Sequence, residues 1–310
     1  MTITGPSKAM GSSVVILGDS HVQYFKCAAR HGLFAPRGVE ACDVGGATAV
    51  GMRNPNAMTN ALGQFRSFLQ GKSRKAILVL HLGEVDCGYV IWYRAAKYGE
   101  SVEAQMEQSI SAYFGFLDEV GFEKVVVTGA TLPTITDTDQ DGEVVKARSA
   151  VRISQTDRTK LTLEYNSRLA NEAARRGYSY AEVTQDVIDP VSGLTRPSFR
   201  NRNPFDHHMD QVLAASVWAR RLNDCLETLD PIMMPQVALA ASADTFVKGI
   251  GLHSKDLPHE LKHGASKGDT LRAKVHAVSG EYFVISEGML NDRPLSPYMR
   301  LAHRAHWREA

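Results

Sequence analysis

Ser20 stands in Gly18-Asp19-Ser20-His21, between the apolar run Val14-Val15-Ile16-Leu17 and a helical stretch that begins at Val22. A strand-to-helix turn sets a side chain at the carboxyl edge of a sheet, beside helix N–H groups that favour developing negative charge. A hydroxyl in that place suits a nucleophile for acyl transfer. Its plainer role is to cap the helix. Chemistry would need a base, a group to orient the base and an anion hole, all delivered to the same edge.

Other loops carry candidates for those parts. Asp43-Val44-Gly45-Gly46-Ala47-Thr48 follows a second strand-like segment, and His81-Leu82-Gly83-Glu84-Val85-Asp86-Cys87 follows a third. Asn203-Pro204-Phe205-Asp206-His207-His208-Met209-Asp210 precedes a long helical segment and supplies two imidazoles flanked by carboxylates.

The elements that must position these loops read as alternating strands and helices. Val14–Leu17, Ala76–Leu80 and Lys124–Val127 are apolar on both faces, as strands of a helix-covered parallel sheet must be. Weaker strands are expected at Gly38–Cys42 and Tyr178–Val183. Ser101–Val120, Arg158–Arg176 and Met209–Leu229 carry apolar residues at helical spacing. The expectation is an α/β three-layer sandwich with a mainly parallel five-stranded sheet. Polar Pro133–Ser154, with TDTDQDG, reads as a surface insertion.

A seam is expected at Asp230-Pro231, dividing a body of residues 1–230 from a small β-containing appendage of 231–310. Leu271–Val278 and Glu281–Ile285 around Ser279-Gly280 read as a hairpin. An isolated hairpin is marginal in water, so this one is expected to pack on the body or on a second copy of the chain as a homo-oligomer.

The order of these blocks resembles that of the SGNH (GDSL-like) hydrolase family over residues 13–229. Gly18-Asp19-Ser20 matches its nucleophile block, Gly45-Gly46 its glycine block, Gly83–Asp86 its third block and Asp206–His208 its late block. Tyr165-Asn166 with Leu169 also looks similar. The resemblance implies a flavodoxin-like fold and a serine esterase, with Ser20 as nucleophile, a histidine of the late pair as base and Asp206 as orienting acid. His208 is expected to be the base, since it sits nearer the first turn of the following helix; Asp210 is a second candidate for the acid. Ser20 and Gly46 N–H groups are the expected oxyanion donors, because the family's usual Asn in the third block is replaced by Val85. The family's Asp usually precedes its His by three, whereas Asp206 precedes His208 by two.

Asp19, His21, Glu84, Asp86 and His207 are expected to bind substrate. The Gly83-Glu84-Val85-Asp86-Cys87 form resembles a branch tied to bacterial surface-glycan loci, so an acylated glycan or other small acyl ester is the expected partner. An O-acyltransferase on the same triad and a non-catalytic binding module are the rival readings.

Composition narrows the field further. The 310 residues are 44% hydrophobic and 22% charged, which excludes disordered and fibrous classes. Lys and Arg total 35 against 34 Asp and Glu, a net charge of +1 that gives no footprint for nucleic acid. The apolar run at Val14 is too short for a membrane span or a signal core, so a cytoplasmic location is expected. Cys27, Cys42, Cys87 and Cys225 have no framework spacing and read as reduced thiols. No cofactor or metal is expected: Glu84 with Asp86, or His259 with His263, offers too few ligands. His81 reads as a satisfied buried histidine, and Tyr89, Trp92 and Tyr93 as core or a substrate platform.

Overall fold

The computed structural model describes residues 12–139, 143–148, 150, 151, 153–203, 205–232, 236–241, 270–279, 282–294, 300–303 and 307–309. The strands Val14–Gly18 (β1), Val39–Asp43 (β2), Ile77–His81 (β3), Lys124–Thr128 (β4) and Ser179–Ala181 (β5) form one sheet in the order β2-β1-β3-β4-β5. The pairings β1/β3, β3/β4 and β4/β5 are parallel. Every residue of β1 and β3 is buried, as their unbroken apolar runs require of a sheet covered on both faces. The α/β class and the mainly parallel five-stranded sheet are those the sequence leads one to expect. Each weak strand is placed within a residue or two of expectation.

Helices connect the strands: Gln23–Arg30 (α1), Ala61–Leu69 (α2), Ile91–Tyr98 (α3), Val102–Val120 (α4), Glu143–Arg148 (α5), Gln155–Arg175 (α6), Thr184–Val187 (α7) and Gln211–Leu229 (α8). In α4 the buried Met106, Ser109, Tyr113, Phe116, Leu117 and Val120 recur at three and four residues, and Ser101 caps the start by accepting from the Ala104 N–H. Gly121, at φ 62°, ends it. Helix α6 begins three residues before the expected Arg158, because Ser154 accepts from the Asp157 N–H and starts the helix there.

Order 2-1-3-4-5 reverses direction between β1 and β3, and the carboxyl ends of those two strands are where such sheets open a crevice. Gly18 is needed at that point, since a Cβ there would lie 2.1 Å from the His81 carbonyl oxygen. The segment 133–154 is less of an insertion than its polarity suggests. Pro133 and Thr134 are buried, and the Pro133 carbonyl accepts from Gln155 Nε2 and Thr195 Oγ1; α5 lies farther along.

The chain divides into two compact units that are not consecutive in sequence. One comprises Val14–Tyr24 and Glu40–Ala214; the other takes in Phe25–Val39 and Ala215–Ala310. In the second, Arg37 pairs with Asp230 at 3.0 Å and with Glu227 at 3.2 Å, and Asn223 donates to the Leu33 carbonyl. These bonds tie the end of α8 to the segment after α1, so Pro231 falls inside this unit rather than at its edge. The same unit holds an antiparallel sheet in the order β10-β8-β7-β6-β11, from Gln236–Ala241 (β6), Thr270–Ser279 (β7), Tyr282–Leu290 (β8), Arg300–His303 (β10) and Trp307–Glu309 (β11), with Arg293–Pro294 (β9) on β8. The expected hairpin is β7 with β8, paired from Leu271 opposite Leu290 to Ser279 opposite Tyr282, with register shifts between Arg272 and Lys274 and between Val275 and Ala277. His259 and His263 lie outside the described residues.

Candidate active site

Asp19 leaves β1 in extended backbone, and its Oδ1 accepts from the His21 N–H at 2.8 Å and from His21 Nδ1 at 2.9 Å. A carboxylate bonded to the backbone two residues on is a turn that Asp forms readily. Asp19 is therefore the cap of the short helical turn Ser20–Val22, and the capping role open to Ser20 is already filled. Ser20 Oγ instead lies 2.8 Å from His208 Nε2.

The late loop repeats the same turn. Asp206 Oδ1 accepts from the His208 N–H at 2.9 Å and lies 2.6 Å from His208 Nδ1, while its Oδ2 accepts from Asn201 Nδ2 at 3.0 Å. The spacing of two, unlike the family's three, suits a carboxylate that bridges the backbone and ring of one histidine. Asp210 is engaged elsewhere: its Oδ1 accepts from the Val212 and Leu213 N–H groups and caps α8. With Nδ1–H directed at Asp206, the bonding assigns the Nε2 lone pair of His208 to the Ser20 hydroxyl.

Burial lowers the pKa of His208, and the neighbouring His21 adds to that shift, so the ring is neutral at pH 7. Burial alone would raise Asp206; the N–H and ring of His208 outweigh it and hold the carboxyl below its ordinary value. A neutral base facing a hydroxyl, with an ionised carboxylate behind it, is equipped to take a proton.

Gly46, exposed at φ 71°, follows β2 on a loop that Asp86 anchors. The Asp86 carboxylate accepts from the Ala49 N–H at 2.7 Å, the Val50 N–H at 3.0 Å and Ser109 Oγ at 2.8 Å. Burial raises its pKa in spite of these bonds. Among the described residues, neither the Ser20 nor the Gly46 N–H has a hydrogen-bond partner. Val85 is half-buried in helical backbone.

Four of the residues expected at the substrate, Asp19, His21, Glu84 and Asp86, are buried. What Asp19 and Asp86 visibly hold is other parts of the site. His207 is half-buried, its ring 4.0 Å from that of His208 and 5.7 Å from that of His21, and its carbonyl accepts from Thr134 Oγ1. His81 ends β3 between Thr128 Oγ1 at 2.7 Å and Thr131 Oγ1 at 3.4 Å, and burial pushes its pKa down to about 4. Cys87 is buried with its pKa raised by that burial, the reverse of what a nucleophilic thiol needs. Trp92 donates from Nε1 to the Cys87 carbonyl, and Tyr89 stacks on Tyr93.

Tyr165 and Asn166 brace the loops. Asn166 clamps Ala130 through both its N–H and its carbonyl, and Tyr165 packs where a Cβ on Gly83, at φ 123°, would lie 2.8 Å away. Thr134, Asn201 and Ser109, and Tyr24 whose hydroxyl accepts from the Met209 N–H at 2.8 Å, escaped the sequence reading. The contacts of Thr134, Ser109 and Tyr24 join residues distant in the chain, while Asn201 reaches Asp206 only five residues on; no local pattern marks any of them.

Neither a family model nor a curated protein matches the chain. Solved structures do. A GDSL-like lipase from Bacteroides thetaiotaomicron is 13% identical over 70% of this chain and 88% of its own, with a TM-score of 0.43. A carbohydrate acetylesterase from Sinorhizobium meliloti is 13% identical over 70% and 99%, at 0.46, and an extracellular lipase from Streptomyces rimosus 17% over 69% and 99%, at 0.40. The structural neighbours are GDSL-like, SGNH-type lipases and acylhydrolases. Among the described residues no helix is long and apolar enough to cross a membrane.

Proposed function

We propose that this chain is an SGNH-type serine ester hydrolase. The observation that carries the reading is the continuous chain from Ser20 Oγ through His208 Nε2 and Nδ1 to Asp206 Oδ1, with steps of 2.8 and 2.6 Å. Ser20 Oγ attacks the acyl carbonyl carbon as its proton passes to His208 Nε2, and Asp206 stabilises the imidazolium. The oxyanion is met by the N–H groups of Ser20 and Gly46. Collapse breaks the ester bond, and the proton on Nε2 leaves with the alcohol. A water then gives its proton to His208 and cleaves the acyl-enzyme, releasing the acid and restoring Ser20.

The substrate we infer is a small acyl ester of a hydroxylated alcohol, an O-acetyl group on a carbohydrate. Support comes from a small cleft at Asp206 and His207, lined by the polar Thr134, Asp139, Arg200, Asn201 and Asn203 beside the apolar Ile135, Val144, Val145 and Phe205. Its mainly polar side chains suit sugar hydroxyls better than a lipid chain. The test is a panel of esters from acetyl to octanoyl on the wild type and on Ser20→Ala. Activity is expected to be highest at acetyl, and Ser20→Ala should lose several orders of magnitude in kcat, leaving about 10³ to 10⁴ over water. Near-normal turnover by Ser20→Ala would sink the assignment.

A further inference from the structure

His21, His207 and His208 each bring one ring nitrogen into a cluster in which all these atoms lie within 4.8 Å of one another. The rings lie close together and tilted to one another: His21 and His208 are 4.7 Å apart between centroids, His207 and His208 4.0 Å. Two of the three rings already carry the partner that metal-binding imidazoles have. His21 Nδ1 meets Asp19 at 2.9 Å and His208 Nδ1 meets Asp206 at 2.6 Å. A carboxylate on one ring nitrogen sets the tautomer, orients the ring and makes the other nitrogen a stronger donor. Ser20 Oγ, 2.8 Å from His208 Nε2, borders the same space.

We propose that His21, His207 and His208 form a binding site for a divalent transition metal, Zn²⁺ by ligand type, and that its occupancy and the serine chemistry exclude each other. Three imidazoles with one open position for water make a four-coordinate site of the kind Zn²⁺ takes. At Zn–N distances of about 2.0–2.1 Å, tetrahedral ligands sit about 3.4 Å apart, so the cluster must tighten on binding. His207 is the ring placed to move, since it lies half-buried on the loop while His21 is fully packed. Once the metal holds His208 Nε2, the lone pair that would take the Ser20 proton is gone. The site thus gives the enzyme a metal-sensitive off state; this consequence, unlike the binding itself, rests on the serine-hydrolase reading.

The experiment separates the two. Chelator-treated protein is titrated with Co²⁺, which reports coordination by visible absorption, and then with Zn²⁺ in competition. The proposal expects one Co²⁺ per chain with the intense bands of four-coordination, displaced by Zn²⁺, and the same spectrum in Ser20→Ala, which keeps all three rings. Removing one ligand in His207→Ala should weaken binding by at least the roughly 10- to 100-fold that loss of a mere supporting partner costs, with folding checked by circular dichroism and His208→Ala as a second variant. In parallel, a fluorophosphonate should label Ser20 in metal-free protein, stop at one equivalent of Zn²⁺ and resume on chelation. No bound Co²⁺, a six-coordinate spectrum, or affinity unchanged in both histidine variants overturns the site. Labelling that persists at full Zn²⁺ occupancy overturns the exclusion. Metal-free protein that takes no label overturns the serine reading and the exclusion with it, while the Ser20→Ala spectrum still decides the three-histidine site by itself.

Discussion

Asp19-Ser20-His21 and Asp206-His207-His208 are the same local structure in two settings. In each, one carboxylate oxygen holds both the N–H and Nδ1 of the histidine two residues later. The first is sealed, with both side chains 1% exposed; in the second the histidine side chain is 13% and the aspartate 34% exposed. A bonding pattern alone therefore does not make a catalytic pair. The buried turn aims Ser20 and supports the floor, whereas the open one can exchange a proton with something that arrives from solvent.

The comparison breaks most sharply on the carboxylates. Asp206→Asn keeps the shape of the open turn and loses the charge that stabilises the imidazolium, so kcat on an acetyl ester should fall about 10⁴-fold with little change in melting temperature. Asp19→Ala should do the reverse. It leaves two buried donors of His21 unpaired, at about 1–3 kcal/mol each, and the loss should appear in urea unfolding more than in kcat. If the two variants exchange these signatures, the catalytic assignment belongs to the first turn.

The sealed side also predicts a pH dependence of stability. His81, behind His21, has its pKa pushed down to about 4 from 6.5 by burial. The unfolded chain binds a proton there between those values and the folded chain does not, so this contribution is whole above pH 6.5 and drains as pH falls towards 4. It amounts to about 3 kcal/mol. His208, also lowered, acts in the same direction. Urea unfolding from pH 7 to 4 should show the decline, and His81→Gln should flatten it.

Much of the sheet was legible because Val14–Leu17, Ala76–Leu80 and Lys124–Val127 are apolar without alternation, a pattern that burial on both faces dictates. The loops at the strand ends followed from that, and with them Ser20 and the late Asp-His-His run. What could not be read was which neighbours each polar group would choose. Asp86 looked like a substrate ligand, but only the fold brings Ala49, Val50 and Ser109 to its carboxylate. Asp206 was preferred to Asp210 as the acid on proximity alone, and only the fold shows Asp210 engaged at the start of α8. The convergence of His21 with His207 and His208 joins residues nearly two hundred positions apart, and no spacing rule reaches that far.

The smallest effect tests whether the two turns sense each other. His208 is pushed down first by burial and next by His21, while Asp206 and Glu84 push it up. The rate requires neutral His208, so kcat/KM should fall on the acid side as pH drops through the pKa of His208 in the free enzyme, below its ordinary value of 6.5. His21→Gln keeps a polar side chain in the buried turn but removes the ring whose charge opposes protonation of His208. With burial unchanged and Asp206 and Glu84 still in place, the remaining balance favours the imidazolium more, and the acid limb should move up towards 6.5. The shift is a change of position on the pH axis and is read separately from any loss in the plateau rate, so a general weakening of the site does not imitate it. An acid limb that stays where it is, or moves down, means that the two Asp-x-His turns titrate independently although their rings lie 4.7 Å apart.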